Sequence, residues 1–193
     1  MKKSIVDQIS QAIDVFTAIR DDDALLDVVE NLAHRIAEAF GAAGKILLAG
    51  NGGSAADAQH IAGELVSRFN FDRPGLPAIA LTTDTSVLTS IGNDYGYEKL
   101  FERQVQALGR PGDVFWGIST SGRSPNILRA MATARQNGLF VVGFTGANGG
   151  AMREWADLCV CVPSSTTPKI QEAHILLGHI VCGLVEERLF KRP

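Results

Sequence analysis

Five short apolar runs punctuate the chain: KILLAG (45–50), PAIAL (77–81), DVFWGIS (113–119), LFVVGFTG (139–146) and DLCVCVP (157–163). None alternates strictly between apolar and polar residues, so each reads as a strand covered on both faces. Segments of helical periodicity separate them. Strands buried on both sides and joined by helices predict a mostly parallel sheet with right-handed crossovers. The expected fold class is therefore α/β, a three-layer α-β-α sandwich of the flavodoxin or Rossmann kind. Two helices precede the sheet, with apolar stripes at Ile5, Ile9, Ile13 and Phe16, then at Leu25, Val29, Leu32, Ile36 and Phe40. The Asp21–Asp23 run suits the positive end of the second helix, and Gly41 its close. A long helix spans roughly 170–189. No repeat, low-complexity linker or charge block divides the chain. A single domain is expected over 1–193, with a helical part at 1–40 and an α/β core at 45–193.

Composition narrows the function classes. With 46% hydrophobic and 20% charged residues the chain has ordinary globular character. A net charge of −3 argues against binding a nucleic-acid backbone. The opening MKKSIVDQISQ lacks the apolar run of a signal peptide, and no stretch reaches the ~18–20 apolar residues of a membrane span. A cytoplasmic protein without membrane or nucleic-acid partners is expected. Cys159, Cys161 and Cys182 form an odd set without zinc-type spacing and read as buried free thiols, the first two on one side of a strand.

In open parallel sheets, ligands bind beyond the carboxyl ends of the strands, near the point where strand order reverses. Four loops qualify: NGGS (51–54), STSGRS (119–124), TGANGG (145–150) and PSSTT (163–167). In GNGGSA the glycines let backbone approach a ligand, and a helix starting near Ser54 offers N–H groups and a positive dipole end. The same stretch fits G-x-G-x-x-A, but a dinucleotide site calls for an acidic residue about 20 positions on, and the nearest comparable one is Asp84. A plain tight turn is the third reading. STSGRS supplies Ser119, Thr120, Ser121 and Ser124, more hydroxyls than the N-cap and N1 pair Ser124–Pro125 requires. These resemble a cage for phosphate oxygens. Neither loop carries a lysine or the G-K-[ST] of a triphosphatase, so a monophosphate on a small molecule fits better.

His60 and Glu64 stand one turn apart on the helix after NGGS, either as a solvated surface pair or as part of a site. The closing helix places Gln171, Glu172, His174 and His179 in otherwise apolar sequence, where polar groups must find partners. Imidazole, carboxylate and amide oxygen can together hold a zinc-like cation. Gln171 and His179 are two turns apart, so both reach one ion only with extended side chains. His34 is assigned no role.

Almost end to end, the chain resembles the bacterial phosphoheptose (sedoheptulose 7-phosphate) isomerases of the sugar-isomerase (SIS) superfamily. The resemblance rests on GNGGSAADAQHIAGEL, RPGLPAIALTTDTSVLTSIGNDYGYE, ISTSGRSPN, TPKIQEAH and the His179 position. It implies an SIS-type fold, a homotetramer with shared active sites, and ketose–aldose isomerisation through an enediol. It implies substrate contacts from Asn51, Gly52, Gly53, Ser54, Asn93, Asp94, Ser119, Thr120, Ser121, Ser124 and Gln171. It also implies one zinc per subunit at His60, Glu64, Gln171 and His179, with Glu64 and His179 as the acid–base pair. Arg68 is a further candidate for phosphate, with a surface salt bridge as its alternative. Arg123 stands where the family often has Asn. The DnaA initiator-associating proteins share the phosphate loops but resemble the isomerases poorly at the catalytic positions, so a sugar-phosphate sensor or replication-initiation partner is the alternative function. A dinucleotide oxidoreductase is a third.

Overall fold

The computed structural model describes residues 1–191; the last two positions of the expected 1–193 domain lie outside the described residues. Each apolar run forms a strand: β1 (Ile46–Gly50), β2 (Ala78–Ala80), β3 (Val114–Ile118), β4 (Phe140–Gly146) and β5 (Leu158–Val162). All pairings are parallel, in the order β2-β1-β3-β4-β5. The order reverses between β1 and β3, so the loops leaving those two strands flank the crevice at the switch point.

Successive side chains on a strand face opposite ways, and the two cores divide accordingly. Ile46, Leu48, Val114, Trp116, Val142 and Phe144 pack against α2 (Asp23–Gly41), α3 (Gly53–Val66) and α8 (Thr167–Leu189). Leu47, Phe115 and Val141 pack on the other face, against α4 (Thr85–Tyr95), α5 (Leu100–Leu108), α6 (Pro125–Gln136) and the short α7 (Met152–Trp155). This is the expected three-layer sandwich.

α2 starts as its charges predict: the Asp22 side chain accepts from Leu25 N at 3.0 Å. Its apolar stripe is buried from Leu25 to Ile36, with Phe40 partly so. Gly41 proves to be the last helical residue, and Ala42 is the cap. The stripe on α1 (Lys2–Arg20) behaves differently, because within one chain Ile5, Ile9 and Ile13 are exposed and only the Phe16 end meets the core. The cysteine expectation is corrected in part. Only Cys182 is buried; Cys159 and Cys161 are half-buried, on one side of β5 with sulfurs 3.7 Å apart. β5 is an edge strand, so that face is only partly covered.

Candidate active site

Helices α3 and α8 lie side by side and run the same way. At the start of α3, Gly53 faces Gln171, whose Nε2 lies 2.5 Å from where a Cβ on Gly53 would stand. Two turns along, His60 meets His179. Beside the second contact Gly178 lets Ile61 approach, since a Cβ there would lie 2.8 Å from Ile61 Cδ1. Glycines at 53 and 178 therefore let the two helices touch at the depth the site needs.

β1 passes into α3 through Gly52, whose φ of 56° and ψ of −121° suit glycine alone. Ser54, in the first turn, is buried. Across the crevice, Ser119 Oγ lies 2.9 Å from Ser124 Oγ and 3.4 Å from Ser121 Oγ. Ser124 is the N-cap residue of α6 with Pro125 at N1, yet its hydroxyl makes no capping bond. It turns to Ser119 instead, so the loop is a hydroxyl cluster first and a cap second. Gly122, at φ 63°, packs against Gly149 O with no room for a Cβ, which interlocks STSGRS with TGANGG. Thr120, Ser121, Arg123, Asn148 and Ser164 help to line a cleft of about 250 Å³ here.

Two neighbours had no sequence signal beyond their polarity. Asn126, buried on α6, exchanges amide hydrogen bonds with Asn51 at 3.0 and 2.8 Å, tying the β1 and β3 loops together. The Tyr97 hydroxyl donates to Asn51 Oδ1 at 2.8 Å. Their partners lie 75 and 46 residues away, and a sequence pattern does not display such pairings. Asp84 caps α4, accepting from Val87 N at 3.0 Å.

His60 Nε2 lies 2.8 Å from His179 Nε2 and 3.1 Å from Glu64 Oε1. One donor atom from each of the three residues falls within 4.8 Å of the other two. Two imidazoles and a carboxylate converging in this way match the three-ligand set of a catalytic zinc, which leaves a coordination position open. Phe69 stacks on His179, centroids 5.6 Å apart and planes 27° apart. One turn before His60, burial raises the Asp57 carboxyl to about 6 against the opposing pull of His60, and its Oδ2 has no partner among the described residues. Gln171 reaches the start of α3, about 10 Å of helix rise from His60. As a fourth ligand it would have to swing away from Gly53. Arg68, just past the α3 cap residue Ser67, is exposed. Asn93 and Asp94 sit on α4 and bond each other at 2.8 Å; Asp94 lines a separate cleft between α4 and α5, not the serine cleft. Among the described residues none of the three hydrogen-bonds to the hydroxyl cluster.

A parallel sheet with hydroxyl- and glycine-rich loops at its switch point is the arrangement of an SIS domain, and the SIS domain family model matches residues 7–146. The sequence is 63% identical over 186 residues to the phosphoheptose isomerase of Burkholderia pseudomallei, covering 96% of this chain and 94% of that one. It is 58% identical over 191 residues to that of Aneurinibacillus thermoaerophilus, covering 99% and 96%. The fold superposes on the phosphoheptose isomerase structure from Neisseria gonorrhoeae with a TM-score of 0.90 at 40% identity, covering 96% of this chain and 98% of that one. The corresponding structure from Francisella tularensis gives 0.92 at 35%, covering 96% and 97%. The chain belongs to the phosphoheptose isomerase family of SIS-domain proteins.

Proposed function

We propose that the chain, acting as one SIS domain, isomerises sedoheptulose 7-phosphate to D-glycero-D-manno-heptose 7-phosphate, the first step towards a nucleotide-activated heptose. The observation that carries this reading is the meeting of His60 and Glu64, on the helix that opens at the glycine turn after β1, with His179 of α8, while the Ser119, Ser121 and Ser124 hydroxyls cluster in the loop after β3. Ketose–aldose conversion needs a base for the C1 proton, an enediol, and return of a proton to C2. Glu64 takes the C1 proton, and His179 moves protons at the O1 and O2 oxygens. Such general acid–base steps contribute ~10²–10⁴-fold each. The serine cluster holds the phosphate together with Asn51, Gly52, Gly53, Ser54 and Gln171, so binding energy far from the reacting carbons orients them.

His60, Glu64 and His179 would hold one zinc per subunit, with Gln171 of α8 joining if its side chain swings away from Gly53. When bound, zinc would polarise the substrate carbonyl. A carboxylate on a metal is a weaker base, so this reading requires Glu64 to be free to abstract when substrate is present. Asn93, Asp94 and Arg68 are assigned to a site shared between subunits of a homotetramer; the bare α1 stripe supports self-association. Cytoplasmic residence fits the chain, and among the described residues no helix is long and apolar enough to cross a membrane. Its net charge of −3 gives no reason to expect a nucleic-acid partner.

Incubation with sedoheptulose 7-phosphate in deuterated solvent tests the reading. The wild type is expected to form the aldose and incorporate deuterium at the exchanging carbon, while Glu64→Gln binds substrate and incorporates none. Binding without any aldose would identify a sensor or initiation partner instead. Exchange at the normal rate in Glu64→Gln would remove Glu64 as the base.

A further inference from the structure

Behind the site lies a buried ion pair that the proposed chemistry does not use. Arg73 and Glu186 are 2% and 0% exposed at their side chains, with Nε 3.1 Å from Oε1. Arg73 follows α3 in the chain, and its guanidinium turns back to collect that helix's last carbonyls. It donates to Glu64 O at 2.9 Å, Leu65 O at 2.6 Å and Ser67 O at 3.2 Å, and also to Pro74 O at 3.1 Å. The first three of these carbonyls, at the end of α3 and its cap, have no partner within the helix and form its negative end. Glu186, on α8 two turns beyond His179, accepts from Phe69 N at 3.0 Å and Asn70 N at 2.7 Å. Phe69 is the ring stacked on His179.

We propose that Arg73 and Glu186 are positioning residues for the acid–base pair: Arg73 fixes Glu64 through its carbonyl, and Glu186 fixes His179 through Phe69. The inference rests on the reading of Glu64 and His179 as the acid and base. A buried ion pair is weak evidence for stability, because desolvation offsets its attraction. Here each partner makes most of its bonds to backbone: one of Arg73's ends on Glu64 itself, and one of Glu186's on Phe69, whose ring stacks on His179. Burial alone would push the Glu186 carboxyl up, but the N–H groups of Phe69 and Asn70, with Arg73, hold it below its ordinary range. It therefore stays charged and keeps both amides. Helix geometry places Glu64 and His179 only roughly; the Arg73–Glu186 cross-link sets how far apart their helices end.

The test replaces both charges at once, Arg73→Met with Glu186→Leu, so that neither ion is left buried alone. A second variant, Phe69→Leu, removes only the stack. Each is assayed well below its melting temperature for kcat and KM on sedoheptulose 7-phosphate, alongside the His179 imidazole signals in a nitrogen–proton spectrum. In the double variant kcat is expected to fall at least tenfold with KM within twofold, and the His179 signals shift; Phe69→Leu gives a smaller fall of the same kind. A folded double variant with kcat within twofold of wild type would overturn the proposal. Should the double variant not fold, unchanged kcat and His179 signals in Phe69→Leu would overturn it. A wild type inactive on this sugar would count against the functional reading alone. The His179 signals would then decide the positioning role: a shift supports it and none overturns it.

Discussion

His174, fully buried on α8, donates its Nε2–H to Thr145 O at 3.2 Å, and no group donates to its Nδ1 among the described residues. Burial lowers its pKa from 6.5 to about 4, against the Thr145 bond that raises it. The unfolded chain therefore takes this proton at higher pH than the folded one. The stability tied to His174 is fully present above about pH 6.5 and is lost as pH falls to about 4, by up to about 3 kcal/mol. Urea unfolding at steps across that window is expected to show the loss, and His174→Leu to flatten it even if less stable throughout. Ser119 belongs to a different economy. Its hydroxyl faces two others and, in the proposed reaction, a phosphate remote from the reacting carbons. Ser119→Ala should raise KM severalfold while kcat changes little, read from steady-state kinetics; an unchanged KM would remove the cage.

Among the elements, the loops after β3 and β4 carry the tightest constraint. Gly122→Ala would put a side chain at φ 63°, against Gly149 O and 2.8 Å from Thr145 Oγ1. The left-handed strain alone costs ~1–3 kcal/mol. The expected outcome is a lower melting temperature and a higher KM, because the hydroxyl cluster shares that loop. Every strand was legible in the sequence, since runs apolar on both faces have few other uses, and so was the hydroxyl loop. Side-chain destinations were less so. Ser124 read as both cap and cage member, and its hydroxyl turns to Ser119; Asp84, which stands too far along the chain for a dinucleotide site, is a cap. Asn126, Tyr97 and the Arg73–Glu186 pair were invisible, because what defines each is a partner that only tertiary packing brings near. The closeness of His60 to His179, 119 residues on, could be read only through family resemblance.

At the scale of the whole molecule, the bare α1 stripe is the clearest sign of incompleteness. Ile5, Ile9 and Ile13 line one face together with Ala12 and Phe16, and that face opens beside Lys169 and Glu172 of α8. Buried apolar area is worth roughly 25 cal/mol per Å², so association through this face is expected. An Ile9→Asp variant should show a smaller mass by light scattering. In a lone subunit it is an exposed change worth within about ±0.5 kcal/mol, so thermal stability measured at high dilution should hardly move. If Asn93, Asp94 and Arg68 reach the site from a neighbouring subunit, activity falls with the mass. An unchanged mass would remove this face as a subunit contact.

If the proposed reaction holds, the side-by-side run of α3 and α8 has a consequence for what sugars the site accepts. Gly53 and His60 are seven residues apart, so the span from the start of α3 to the imidazole pair comes only in helical increments. Removing one residue shortens it by about 1.5 Å but swings His60 by roughly 100° around the axis, away from His179. A lineage that needed a shorter substrate could not reach it by trimming this helix. It would have to move the serine loop, which makes the helix pair a ruler of fixed gauge and the loop its sliding jaw.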